Sequence, residues 1–338
     1  FGRFRMRKIL LSTTALVALG VASAQAADFT ISGGSEFDYT SWSDKTTDTG
    51  GANNNDMTFV TNITISASQT TDSGLTLSGV LLQDDGAAKD NDARSVSISG
   101  DFGKITMGGN TAADAFDIDG ETANESGGGR TAVAGAASGI GVGMGGEEEG
   151  LAYYSPSING FTFGASMHNA GSASKADGTT YGVKYSTDAA GGTVSIAWAA
   201  ASRGNTGAET AGSETGYDTT HIGGSIAVGA ATIELAQYNQ KENGTTATFN
   251  DDYSRNSYGL SYKASDTITL NVHSQSGDNS KVTNYDWEET AYDITYAIAP
   301  GLTMTMSYTD YNETAADGTA CTGTCDGTAT NMAIDLSF

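Results

Sequence analysis

The chain has 338 residues, among them 45 Gly and only 2 Pro, and carries 40 acidic against 16 basic side chains. Hydrophobic residues make up 38% and charged residues 17%, both below the globular averages of about 45–50% and about 25%. Thr and Tyr favour strands while Gly, Asn and Asp favour turns, which argues against a helical bundle and against a doubly wound α/β enzyme. The 15 Tyr, 11 Phe and 3 Trp recur in spaced clusters, unlike a disordered chain, and a formal charge of −24 argues against nucleic acid as a partner.

Taken in chain order, the first segment stands apart. Met6-Arg7-Lys8 is basic, Ile9 to Val21 is an apolar run, and Ala24-Gln25-Ala26 follows. A charged n-region, an h-region and an A-x-A site make a secretory signal, and the run is shorter than the roughly 20 apolar residues of a spanning helix. The expected division is a signal peptide at 1–26, with the residues before Met6 unexplained, and a single domain at 27–338. Losing Arg3, Arg5, Arg7 and Lys8 with the signal takes the formal charge from −24 to −28.

Beyond the signal the pattern is period-2 alternation, the mark of strands with one apolar and one polar face. Segments near 28–42, 56–70, 75–83, 93–100, 104–110, 150–156, 161–169 and 179–187 read as strands. Eight more lie near 192–201, 218–229, 230–240, 254–263, 268–276, 286–298, 302–312 and 328–338. The clearest is Leu302-Thr303-Met304-Thr305-Met306-Ser307-Tyr308, where even positions are apolar. Connections alternate between short ones, such as Asp72-Ser73-Gly74 and Pro300-Gly301, and long acidic ones, such as 43–55, 202–217, 241–253 and 313–327. An even number of antiparallel strands with tight turns at one end and long loops at the other describes a 16-stranded transmembrane β-barrel of the outer-membrane type. Tyr153, Tyr154, Tyr185, Trp198, Tyr262, Tyr292, Tyr296 and Tyr308 are then candidates for the aromatic girdles of its apolar band.

The start Asp28-Phe29-Thr30-Ile31-Ser32-Gly33, directly after an AQA site, resembles that of alphaproteobacterial general porins. So does Gly103-Lys104-Ile105-Thr106-Met107-Gly108, which runs into one very long acidic loop, and so does a chain that stops inside a strand at Phe338. The resemblance to the Gram-negative trimeric porins implies a homotrimer of barrels, each with its long third loop folded into the pore. It also implies that Phe338 serves as a signal to the barrel assembly machinery, and that a basic cluster on the wall faces the acidic loop.

The connection 111–149 contains Asp114, Asp117, Asp119, Glu121 and Glu125, and Glu147-Glu148-Glu149 close it. Carboxylates in a narrow opening concentrate cations and repel anions, so these five residues are the candidate pore constriction. Asp117-Ile118-Asp119-Gly120-Glu121 offers oxygen ligands of the kind Ca²⁺ takes, without EF-hand spacing. No cofactor is expected, and Ca²⁺ at the acidic loops stays open. If apolar positions face lipid, strand parity turns Lys184, Arg255, His168, His221 and His273 into the lumen as wall candidates. Arg94 shares parity with Val96 and Ile98, and reads as snorkelling at a rim.

Other motifs fail on context. Gly141-Val142-Gly143-Met144-Gly145-Gly146 formally fits GxGxxG but leads into three glutamates. The 3 His and 2 Cys cannot build a standard zinc cluster, and no catalytic constellation appears, so an enzyme is not expected. Cys321 and Cys325 are candidates for a local disulfide in an oxidising compartment. The leading expectation is a passive channel in the cell outer membrane for small hydrophilic solutes and ions, with a cation preference. Its other expected partners are outer-membrane lipid and lipopolysaccharide. The competing expectation is an exported β-rich adhesion protein without an open pore.

Overall fold

The structure, a computed structural model, describes residues 27–43, 55–84, 94–109, 149–169, 177–189, 191–204, 216–242, 252–279, 286–315 and 323–338. The described residues form sixteen strands. The first eight are β1 (Asp28–Ser43), β2 (Asn55–Thr70), β3 (Thr76–Asp84), β4 (Arg94–Gly100), β5 (Gly103–Gly109), β6 (Glu149–Tyr154), β7 (Phe161–Asn169) and β8 (Gly178–Ala189). The rest are β9 (Gly192–Arg203), β10 (Tyr217–Val228), β11 (Ala231–Glu242), β12 (Asp252–Lys263), β13 (Ile268–Asn279), β14 (Asp286–Ala299), β15 (Leu302–Ala315) and β16 (Gly323–Ser337). Each pairs antiparallel with its neighbours, and β1 pairs with β16, so the sheet is a closed barrel.

Alternation along each strand sorts the residues between two surfaces. On β9, Ile196 and Trp198 point outward and are exposed, while Ala197, Ala199 and Ala201 point inward and are buried. On β15, Met306 and Tyr308 point outward, while Thr305, Ser307 and Thr309 are buried on the inner face. The outer surface is thus an apolar band, and the inner surface carries the small and polar residues. A soluble sheet would hide its apolar face in a core; here that face is the exposed one, because a bilayer replaces the core. Closure leaves no strand edge, which hydrocarbon requires since it offers backbone groups no partner.

Most girdle candidates face outward: Tyr153, Trp198, Tyr262, Tyr292, Tyr296 and Tyr308 are exposed on the band. Tyr292 sits opposite Tyr308, and Tyr185 packs against Phe161 with ring centroids 4.6 Å apart. Tyr154 does not belong with them. It has the opposite parity from Tyr153 and packs against Ala199 and Ala201 on the inner wall.

Strand β16 departs most from the sequence expectation. Strand β16 begins at Gly323 rather than near 328, because residues 323–327 pair with residues 311–315 of β15. Gly323-Thr324-Cys325-Asp326-Gly327 has no large apolar side chain to reveal that pairing. Cys325 therefore lies on a strand, opposite Glu313, rather than in the preceding loop. At the seam, Phe338 meets Gly33: Phe338 N–H donates to Gly33 O at 3.0 Å, and Gly33 N–H donates to Phe338 O at 2.9 Å. A closed barrel staggers its strands by a fixed shear, so the start of β1 runs past the end of β16 and pairs there with β2 alone.

Candidate pore lining

Side chains of inward parity form the wall of the lumen, and charge is unevenly distributed around it. Strands β7 to β13 carry His168, Lys184, Arg203, His221, Arg255 and His273 on the inner face. Strands β14, β16 and β1 carry Glu289, Asp293, Asp335, Glu36 and Asp38 there. Acids are not absent from the first side, since β11 also turns Glu234 inward opposite Ser225.

On the basic side the register explains which groups meet. Gly178 of β8 lies between His168 of β7 and Arg203 of β9, and having no side chain it leaves room for both. The Arg203 guanidinium lies 5.9 Å from the ring centre of Tyr217, its partner on β10, a cation–π contact. His168 is hydrogen-bonded to Ser166 at 3.0 Å. Further along the wall, His221, Tyr238 and Arg255 follow one another on β10, β11 and β12. Gly277 comes next, and the Trp287 indole lies over it, so that an added Cβ would stand 2.8 Å from Trp287 Cε2.

The acidic side is built from closer neighbours. Glu36 sits directly opposite Asp335, and Asp38 is the next inward residue on β1. Asp38 accepts from Thr58 Oγ1 at 3.5 Å and from Asn331 Nδ2 at 3.4 Å, and Asp335 accepts from Thr303 Oγ1 at 3.3 Å. Gln275 donates its amide to Glu289 across β13 and β14. Like charges facing a lumen bounded by protein and lipid act through less water than charges on an outer surface, so they keep a larger share of their field.

Of the residues singled out from sequence, His168, His221, Arg255 and His273 are buried on the inner wall, at 5%, 2%, 4% and 4% exposure. Lys184 is half-buried on the same surface. Arg94 is exposed on the outer face at the end of β4. Asp114, Asp117, Asp119, Glu121, Glu125, Cys321 and the GxGxxG-like stretch lie outside the described residues. Among the described residues no group of three or more His, Cys, Asp or Glu is placed to hold a metal ion. Parity could also have found Arg203, which alternates with Ser202 and Trp198. Glu36, Asp38, Asp293 and Asp335 carried the same signal, but each is one acid among 40 until the register sets them on one wall.

A closed sixteen-strand barrel with an apolar belt outside and charged side chains inside is the architecture of an outer-membrane channel protein. A model of the Gram-negative porin family matches residues 12–318, and the chain belongs to that family. Among solved structures, a loop-deletion mutant of OmpT, an outer membrane protein of Vibrio cholerae, aligns with TM-score 0.69 at 12% identity, covering 93% of this chain and 100% of that one. An anion-selective porin from Comamonas acidovorans aligns with TM-score 0.64 at 15% identity, covering 92% and 100%. A mutant of Rh. blastica porin aligns with TM-score 0.58 at 16% identity, covering 92% and 100%. At these identities the structures share the fold alone with this chain. No curated protein matches it.

Proposed function

We propose that this porin is a water-filled, cation-preferring channel for passive diffusion of small hydrophilic solutes and ions across the outer membrane, and that it performs no chemistry. The observation that carries the reading is the closed barrel whose inner wall is polar and charged in a chain with 40 acidic against 16 basic residues. In this reading Asp114, Asp117, Asp119, Glu121 and Glu125 narrow the opening and face the wall that bears Lys184 and Arg255. Cys321 and Cys325 form a disulfide, three copies assemble side by side, and Phe338 directs insertion. An adhesion protein without a pore would have no use for a charged inner wall.

Reconstitution of residues 27–338 in planar bilayers should give stepwise conductance, with a reversal potential in a KCl gradient that favours K⁺. Neutralising Asp114, Asp117 and Asp119 together should lower that preference markedly. Neutralising as many acids in 241–253 and 313–327 should change it little, because a Debye length of about 8 Å at physiological salt screens charges outside the pore. Equal shifts in the two variants would remove the constriction from the proposal, and a well-folded barrel that never conducts would remove the channel.

A further inference from the structure

We infer that the inner wall of β14–β16 holds a transient binding step for a hard cation, made by the side-chain oxygens of Asp293, Ser307 and Asn331. Asp293 is paired with Ser307, and Ser307 with Asn331, so the three stand side by side on successive strands. Adjacent strands are about 4.8 Å apart, close enough for three side chains to share one ion above Ser307. All three point inward, at 2%, 7% and 5% exposure.

Hydrogen bonding sets the direction of the amide. Asn331 Nδ2 donates to Thr40 Oγ1 at 2.9 Å and to Asp38 Oδ1 at 3.4 Å, both on β1. An ionised carboxylate only accepts, so the NH₂ group must face β1 and Oδ1 turns the other way, toward β15. Asn331 Oδ1 and Ser307 Oγ have no hydrogen-bond partner. Buried acceptors left without a donor are costly, and the inward positions around them supply none with a charge. Ala291, Thr309 and Ala329 lie above, and Thr295, Thr305 and Ala333 lie below. A carboxylate, a hydroxyl and an amide carbonyl are the ligand types of hard cations; one cation would give Ser307 Oγ and Asn331 Oδ1 a partner, with Asp293 beside them supplying the negative charge.

A single carboxylate is too little charge to retain a divalent ion. Conduction needs that weakness, since a site along a pore must release its ion as readily as it takes it. The inference deepens the cation-preferring reading and rests on it, by naming fixed residues of the sheet that act on the permeating ion.

Ca²⁺ added to KCl is the probe, and single-channel K⁺ conductance is the readout. Ca²⁺ should compete with K⁺ and lower the conductance of the unmodified channel. Ser307→Ala removes one ligand without altering charge, and should raise the half-blocking Ca²⁺ concentration about threefold or more, since ligand number and charge tune such sites. Ser307→Thr keeps the oxygen and should block like the parent, while Asn331→Asp adds charge and should lower the half-blocking concentration. Identical Ca²⁺ block in the parent, Ser307→Ala and Asn331→Asp would overturn the site while leaving the cation preference standing. A parent channel without cation preference, whose Ca²⁺ block still shifts in the variants, would do the reverse.

Discussion

Deleting Phe338 tests how the barrel closes, and its cost can be built from the seam. The deletion removes both hydrogen bonds of the Phe338–Gly33 pair, at 3.0 and 2.9 Å. In water each would be worth about 1 kcal/mol net. Here the N–H and C=O left on Gly33 face an apolar belt, where an unsatisfied backbone group costs several kcal/mol. The ring adds cover: it lies over Gly33 so closely that an added Cβ there would be 2.9 Å from Phe338 Cζ. Phe338 is itself 68% exposed, so the hydrogen bonds, more than buried ring area, set the loss. Several kcal/mol is a large share of a typical folding stability of about 5–15 kcal/mol. Phe338→Asp keeps the backbone pair, losing the ring and adding a carboxylate that costs about 0–1 kcal/mol near the edge of the apolar belt, so it should be the milder change. The measurement is the yield of folded, heat-modifiable barrel in the membrane fraction, with Asp317→Asn as the control. The expected order is control, then Phe338→Asp, then the deletion with the lowest yield. A deletion mutant that inserts as well as the control would refute the reasoning, because closure would then not depend on the terminal pair.

Two further outcomes follow from the inner wall. Arg255→Gln removes a buried positive charge facing the lumen and should raise cation over anion permeability, whereas Arg94→Gln on the outer face should leave it nearly unchanged; equal shifts in reversal potential would put Arg255 outside the ion path. Gly277→Val places a Cβ 2.5 Å from Ser254 O on β12 and 2.8 Å from Trp287 Cε2 and Cζ2, and overpacking of this kind costs about 1–3 kcal/mol. The β12 backbone and the indole must both give way, so tryptophan emission and single-channel conductance should both change, and an unaltered spectrum would show that Trp287 does not rest on that glycine.

Much of the architecture is local and therefore legible. The side-chain period of a strand is 2, so Met304, Met306 and Tyr308 against Thr305 and Ser307 declare an apolar and a polar face with no knowledge of the neighbours. Strand number followed from repeated alternation, and the inward direction of His221 or Arg255 followed from parity alone. Where the large apolar markers stop, legibility stops too, and the first residues of β16 were read as loop. The acids at 114–125 are evident as a cluster, but their relation to the wall is not a local property.

Register is the part that a sequence leaves undetermined. Sliding one strand by two residues keeps every side chain on its own face and changes every cross-strand neighbour. Sequence alone could place Ser307 and Asn331 inside the barrel. It could not make them neighbours of each other and of Asp293, nor set Glu36 opposite Asp335, nor bring Phe338 to Gly33. Those pairings come from the stagger that sixteen strands must share for the first to meet the last. Alternation is a property of each strand, while stagger is a property of the closed ring, so faces were decided by the sequence and neighbours by the tertiary structure.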